Sequence, residues 1–534
     1  MFSERGAMHI SNGAAAARST QSGPTTTHDR DKGPSGLLPL PIGSLTVEHL
    51  VPRHTFKALI AEFLTRVYPL LPLVHVPDFT FRFEAGDYDR DPRFFRLCIA
   101  ICAVTMASIP RQVETYACHL YQNAGELVER AAHVVLTCRL SSDMSWQQKP
   151  TVNDMLVSVM LSMAAHYAEW AHIGWAYASE ATHAFRGLEL YRREAYTDMT
   201  MVESELCKRA FWLMYIMQIH DRLSHITPHT SPCYEPMRTD WDFMLPIEIS
   251  DSDLEPSRGS NSDADIYHDC RPAISGFIAL IKVFLCVAEV SCQQVPGPKT
   301  ANALSTNVNG PHTSSALQSE VRSSIRRRET LLNVVTRLQK VLEELPDELS
   351  LPSNHPSSDS AGTEEEDKSV IGHQYAVMRV NIHVTSLYLQ STLLDICLGS
   401  AAEPLEHGNT ASVTDKTFPG SPNDPRPSTT GSHGTLWDLR ENIVSELLHV
   451  LEHSTTKALE SNGLSIIVKI REIAASLLVE DDNYNTTNNV EDKSQYYISQ
   501  FADILARLDY LSRTKQESSV MNRDSAQAGR DILR

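Results

Sequence analysis

Basic residues are in short supply: 47 Lys and Arg stand against 66 Asp and Glu in 534 residues, a formal charge of −19. DNA affinity comes largely from Lys and Arg displacing counterions at phosphates, so this balance argues against tight autonomous DNA binding. The densest basic cluster is Arg326-Arg327-Arg328, with Arg322 before it and Arg337 and Lys340 after it. It leads into an apolar helical stretch and reads as a solvated helix face, with a nuclear-import signal as the alternative. Cysteine is spread thin as well. Ten occur, none before Cys98 and no two in a Cys-x-x-Cys pair, which excludes a compact disulfide framework and fits a reducing compartment.

Phosphate-cradling and nucleophile-bearing motifs are absent: there is no Gly-x-x-x-x-Gly-Lys, Gly-x-Gly-x-x-Gly, Gly-x-Ser-x-Gly or His-Glu-x-x-His. The easily recognised enzyme classes fall away with them, and no enzyme is expected. Strand signals are equally scarce, with no succession of alternating runs joined by Asn-Gly or Asp-Gly turns. The apolar run 273–290, AISGFIALIKVFLCVAEV, approaches spanning length. Lys282 at its middle and Glu289 near its end are expensive in lipid, so a buried helix is expected and no membrane partner.

What is present is helical periodicity, and the expected fold is all-α: a large irregular helical bundle. Residues 1–44 are rich in Ala, Gly, Ser, Thr and Pro and read as a disordered tail. Their Arg5, Arg18 and alanines give a weaker mitochondrial-presequence reading. The stripe Phe56, Leu59, Ile60, Phe63, Leu64 and Val67 predicts an amphipathic helix stopped by Pro69 and Pro72. An extended link over 73–83 follows. Asp91-Pro92 then opens a helix whose body, 94–106, is apolar all round and so belongs deep in the bundle. Helices are also predicted at 117–138, at 155–170 behind a Thr151/Asp154 capping box, and at 173–191, 203–225, 273–294, 322–345, 373–398, 437–460, 464–480 and 495–512. Insertions at about 295–320, 352–370, 400–434 and 481–494 bury too little to offset their ordering entropy, as does the tail 513–534. The folded region is thus 45–512, undivided or parted into two sub-bundles near 295–320.

Few side chains carry metal or acid–base chemistry by pattern. Cys98 and Cys102 share a helix face among Ile99, Ile101 and Val104, where core packing outweighs zinc ligation. His220 and His225 are five apart and diverge on a helix. His166 and His172 flank Tyr167 and Trp170 and read as hydrogen-bonded packing residues. Asp251 and Asp253 have no evident partner. In KRAFWLMYIMQIHDR (208–222), Phe211, Trp212 and Tyr215 bury ring area that anchors a helix. Arg209 or Arg222 would pair with Asp221 or with a backbone carbonyl.

Two stretches anchor a family resemblance that further stretches extend. EFLTRVYPLLPLVHVPDFTFRF (62–83) resembles the opening of the fungal-specific transcription factor domain, the middle homology region of the fungal zinc-cluster transcription factors, through Tyr68, Pro69, Pro72, His75, Pro77 and Phe79. The stretch 208–222 resembles that family's Arg-x-Phe-Trp-x-x-Tyr signature followed by Asp-Arg, here Arg209, Phe211, Trp212, Tyr215, Asp221 and Arg222. The Asp-Arg pair stands three residues later than usual, and the family's Gly-Arg-Pro is replaced by 227–234. The stretch Phe243-Met244-Leu245-Pro246, leading to Asp251-Ser252-Asp253, fits its acidic return. Leu345-Pro346 and the stretches 469–478 and 495–511 resemble later elements.

The resemblance implies a nuclear regulator of RNA polymerase II genes, with metabolic or secondary-metabolite clusters as the broad target class. It implies a homodimer or a full-length zinc-cluster factor as partner, with a small-molecule effector. The signature residues are expected to be structural. The family's two-zinc cluster is missing, so no cofactor is expected and DNA is reached indirectly or weakly, unless an upstream exon supplies the six cysteines. The alternative is a metabolite-binding or partner-binding helical co-regulator without direct DNA contact.

Overall fold

In the computed structural model, Asp91 caps the helix that the other elements pack around. The structure describes residues 45–142, 146–223, 234, 238–254, 271–288, 329–351, 369–399, 430–477 and 488–508. It is helical throughout, with no strand among those residues. The Asp91 carboxylate accepts from the Arg93 amide at 2.8 Å and Pro92 occupies the first turn. This is the start expected for an acidic cap followed by proline. The helix, α3 (Pro92–Ser108), is buried from Phe94 to Ser108.

Before α3 lie α1 (Arg53–Glu62), which runs on into a π-helical turn Phe63–Val67, and α2 (Val76–Glu84). After it come α4 (Gln112–Tyr116), α5 (Ala124–Ser142), α6 (Val152–Tyr167), α7 (Ala171–Gly187) and α8 (Met201–Leu223). Two short helices, α9 (Trp241–Met244) and α10 (Asp251–Leu254), precede α11 (Ile274–Leu285) and the helical residues 329–343, α12. The chain closes with α13 (Val370–Gly399), α14 (Thr430–Glu452), α15 (Thr456–Ser461), α16 (Gly463–Ser476) and α17 (Asn488–Leu508). Helices α5 and α6 flank α3, α7 backs α6, and α13 is packed by α11, α14 and α16. One contiguous apolar core runs from Val47 to Leu508.

Several predicted boundaries move, each for a local reason. The link 73–83 is not extended, because His75 caps α2 and Pro77 sits in its first turn. Phe79 and Phe83, four apart, then stack on one face. The helix predicted from Ala117 starts at Ala124, where Asn123 accepts from the Glu126 amide and Glu126 reaches back to the Gln122 amide. The helix predicted to reach Trp170 ends at Tyr167, with Glu169 left-handed at φ 62°. The helix predicted over 437–460 breaks where Thr455 caps α15.

Three predicted insertions are overrun at their C-terminal ends, since α13 begins at Val370, α14 at Thr430 and α17 at Asn488. Extending a packed helix N-terminally requires no new nucleus. The tails 1–44 and 513–534, the insertion 295–320, residues 352–368, 400–429 and 481–487, and Arg322 with Arg326-Arg327-Arg328 lie outside the described residues. The apolar run at 273–290 gives only the short α11, with Lys282 exposed. No helix among the described residues is long and apolar enough to cross a membrane.

Around α3, buried charges are held in company. Thr151 and Asp154 form the expected capping box, and the second Asp154 oxygen faces Arg96 of α3 at 3.4 Å and Arg139 of α5 at 3.9 Å. Arg139 also binds Glu180 of α7 at 2.7 Å and the Ser158 hydroxyl at 3.3 Å. One carboxylate thus starts α6 and offsets two desolvated guanidinium groups. Replacing Asp154 with Ala is expected to cost roughly 3–5 kcal/mol, as for removal of one partner of a buried pair. Thr151→Ala, which removes the cap alone, costs about 1 kcal/mol. Urea denaturation of the two variants checks this, and equal losses would show that the guanidinium groups draw nothing from Asp154.

Candidate functional site

The family-signature residues fall at one buried junction, along the body of α8 and at its far end. At the junction, Asp251 at the start of α10 is the common acceptor. Its Oδ1 takes Arg209 Nη2 at 2.8 Å, and its Oδ2 takes the Tyr68 hydroxyl at 2.7 Å and the Val76 amide at 2.9 Å. Its backbone carbonyl lies 2.6 Å from His75 Nε2. His75 Nδ1 accepts from the Asp78 amide at 3.4 Å, so the network assigns the Nε2–H tautomer. The second Arg209 arm reaches the Pro72 carbonyl at 3.4 Å.

Burial pushes the Asp251 carboxyl up, but the Arg209 guanidinium, the Val76 amide and the Tyr68 hydroxyl together hold it below its ordinary value. Tyr68 is driven the other way, first by burial and then by the Asp251 charge. Pro77 and Phe79 serve the same place, one in the first turn of α2 and the other packed on Phe94 at 5.4 Å.

A second set of contacts pins residues 240–254 along α8. Glu205, 1% exposed, accepts from Lys208 and from the Ile247 amide, both at 2.9 Å. Trp212 donates to the Met244 carbonyl at 2.8 Å, and Tyr215 to the Phe284 carbonyl at 3.2 Å. Phe211 stacks on Phe185 at 5.6 Å and meets Trp212 edge-on at 5.3 Å. These aromatics are buried anchors, each polar edge satisfied by a carbonyl.

Arg209 therefore pairs with Asp251 and a carbonyl, not with Asp221. Twelve residues of helix put Asp221 about 18 Å further along. Asp221 and Arg222 sit half-buried in the last turns of α8, apart from the junction. The expectation that Asp251 lacks a partner is overturned: it is the hub. Its polar flanks disguised it, although its place in the acidic return following Phe243-Met244-Leu245-Pro246 was visible.

A deeper polar group lies where α6, α8, α13 and α16 meet. Lys469 Nζ donates to Thr385 Oγ1 at 2.7 Å, and Thr385 in turn donates to Asn381 at 3.0 Å. Burial lowers the Lys469 amine to about 7. His220, stacked on Tyr388 at 5.5 Å, is lowered to about 3 by burial, then by Lys469 and His166. His166 hydrogen-bonds the Ser162 carbonyl at 2.8 Å, and His172 meets Trp175 edge-on. His225 lies outside the described residues.

No three His, Cys, Asp or Glu side chains converge among the described residues. Burial drives the Cys98 and Cys102 thiols up, away from the thiolate that zinc requires.

A cleft of about 380 Å³ opens between the α3–α4 turn, the start of α5, the α6–α7 turn, α15–α16 and the end of α17. Leu459, Leu464, Ile466, Ile467, Leu508 and Trp170 give it apolar walls. Its polar wall is Glu460, held by Arg111 at 2.7 Å and by the buried Arg66 at 3.5 Å. Arg66 gets there because the π-helical turn Phe63–Val67 carries an extra residue, with the Tyr68 amide bonded back to Phe63. Such turns inside α-helices recur at functional sites. Compared with known proteins, the chain matches no family model, no curated protein and no solved structure.

Two measurements follow from this geometry. Arg209→Met strands a buried carboxylate, and Asp251→Asn strands a buried guanidinium while keeping an acceptor for Tyr68 and Val76. Each is expected to cost roughly 3–5 kcal/mol, with the double variant losing less than their sum by about 0.5–3 kcal/mol. Strict additivity in denaturation would show the pair to be uncoupled. For Lys469, the unfolded amine titrates near 10.5 and the folded one near 7. Between those values the unfolded chain binds the extra proton, so stability rises with pH. The penalty is complete below about 7. Lys469→Met is expected to melt higher than the wild type at pH 7, with the gap closing towards pH 10. A constant gap in scanning calorimetry would contradict this.

Proposed function

We propose that this chain is a transcription regulator of RNA polymerase II genes, acting from the nucleus through its helical body as a regulatory and dimerisation region. One observation carries the reading. Three of the stretches resembling the fungal transcription factor domain lie far apart in sequence, with His75 176 residues and Arg209 42 residues from Asp251, yet meet in a single buried junction. Segments that resemble a family one by one gain weight when they also make each other's contacts. Recognition of DNA then falls to a full-length zinc-cluster partner, with a second copy of this chain as the alternative partner for dimerisation alone, consistent with the net charge of −19.

The second reading, a metabolite-binding co-regulator without DNA contact of its own, is favoured by the cleft. Its volume of about 380 Å³ lies within the roughly 300–1,000 Å³ of small-molecule sites. Metabolic or secondary-metabolite gene clusters are the proposed targets.

Epitope-tagged protein is expected in the nucleus and, by chromatin immunoprecipitation, at the promoters of a restricted gene set whose transcripts change on deletion. Cytosolic protein together with unaltered transcripts would end the proposal. Nuclear protein that changes transcripts but leaves no promoter footprint would select the co-regulator reading.

A further inference from the structure

The cleft has an electrostatic character that restricts what it can hold. Arg111 is the cation on its lining, and its guanidinium is already closed onto Glu460 at 2.7 Å. Glu460 is also neutralised from behind by Arg66. Glu169, at the rim, has a partner of its own. An ionic ligand would shed its hydration and meet no unpaired counter-charge, a loss that a buried site must otherwise repay.

Uncommitted hydrogen-bond donors tell the other half. Trp170, Tyr167, Gln112 and Gln122 line the cleft, and the Trp170 Nε1, the Tyr167 hydroxyl and the two glutamine amides have no hydrogen-bond partner among the described residues. Trp170 is presented there by the left-handed Glu169. Gly125, also on the lining, lies next to the indole N–H: a Cβ built there would reach ordinary contact with Trp170 Nε1, at 3.5 Å. Trp170 thus offers a ring face and an N–H together, which suits a flat molecule with a polar edge.

We infer that this cleft binds an uncharged, largely apolar small molecule that carries carbonyl or hydroxyl oxygens, its body against Ile466, Ile467 and Leu464 and its oxygens toward Trp170, Tyr167 and the glutamine amides. The inference rests on the proposed regulatory function only in making that molecule an effector. Binding itself is tested on the purified chain, so it can fail or succeed apart from any effect on transcription.

The probes are Nile red, which is neutral, aromatic and carbonyl-bearing, and anilinonaphthalene sulfonate, which is an anion of similar size. Nile red is expected to bind one saturable site with blue-shifted emission, at least about tenfold more tightly than the sulfonate. Leu464→Trp, which fills the cleft from its wall, is expected to weaken Nile red at least about tenfold. Gln122→Trp, at an exposed rim position, should do the same without touching the core and serves where Leu464→Trp does not fold. Trp170→Phe keeps a ring and removes the donor, and is expected to weaken Nile red about threefold to tenfold. Equal affinity for the sulfonate, non-saturable uptake, or Nile red binding indifferent to both filling variants would overturn the inference.

Discussion

A desolvated guanidinium is costly to bury unless it is paired, and Arg209 is only 1% exposed. It is tolerable because Asp251 stands 2.8 Å away and its other arm finds the Pro72 carbonyl. The carboxylate is likewise tolerable only because Tyr68 and the Val76 amide take its second oxygen. Neither partner is affordable alone, and that mutual need fixes where three distant segments must lie. Closing loops of this length costs entropy that grows only slowly with length. A few well-satisfied contacts can therefore hold segments that local propensity would leave apart. Asp154, shared by Arg96 and Arg139, repeats the arrangement between α3, α5 and α6.

Much of the helical skeleton was legible in the residues. Asp91-Pro92 and the Thr151/Asp154 box each name their helix start, because short acidic or hydroxylated side chains satisfy the first amides. The all-round apolar run 94–106 announces burial from every side. The starts of α2 and α5 were harder to see. His75 is an uncommon cap, and Asn123 acts through a glutamate three residues on, in a stretch where hydrophobic periodicity already ran. Thr455 was hidden in the same way, inside a pattern that phase alone would continue.

Tertiary pairing was less visible than local start signals. Asp251 looked like a solvated carboxylate because its neighbours are Ser, Asp and Pro, and no period in the sequence connects it with Arg209. Lys469 could have been found. It falls on the stripe of Ile466, Ile470 and Ile473, three or four residues apart, so helical phase puts the amine in the core whatever its charge. A lone lysine on such a stripe is usually read as solvated. Here the Thr385 hydroxyl takes it, and burial makes its neutral form accessible near physiological pH.

The cleft joins these levels. Its floor is set where α16 meets the end of α3, and Gly463 makes that approach possible. With φ of 59° its backbone is left-handed, and a Cβ there would stand 2.7 Å from the Ser108 carbonyl. The N-terminal helices supply the turn bearing Trp170, and the C-terminal helices supply Glu460, Ile466 and Leu508. A molecule resting between them adds its binding free energy to the folded arrangement and to no other. It would therefore tighten the contact of α15–α17 with α3–α7. An effector acting there needs no catalytic group. It needs only to favour one docking of two helical faces over another, by the difference in its affinity for the two.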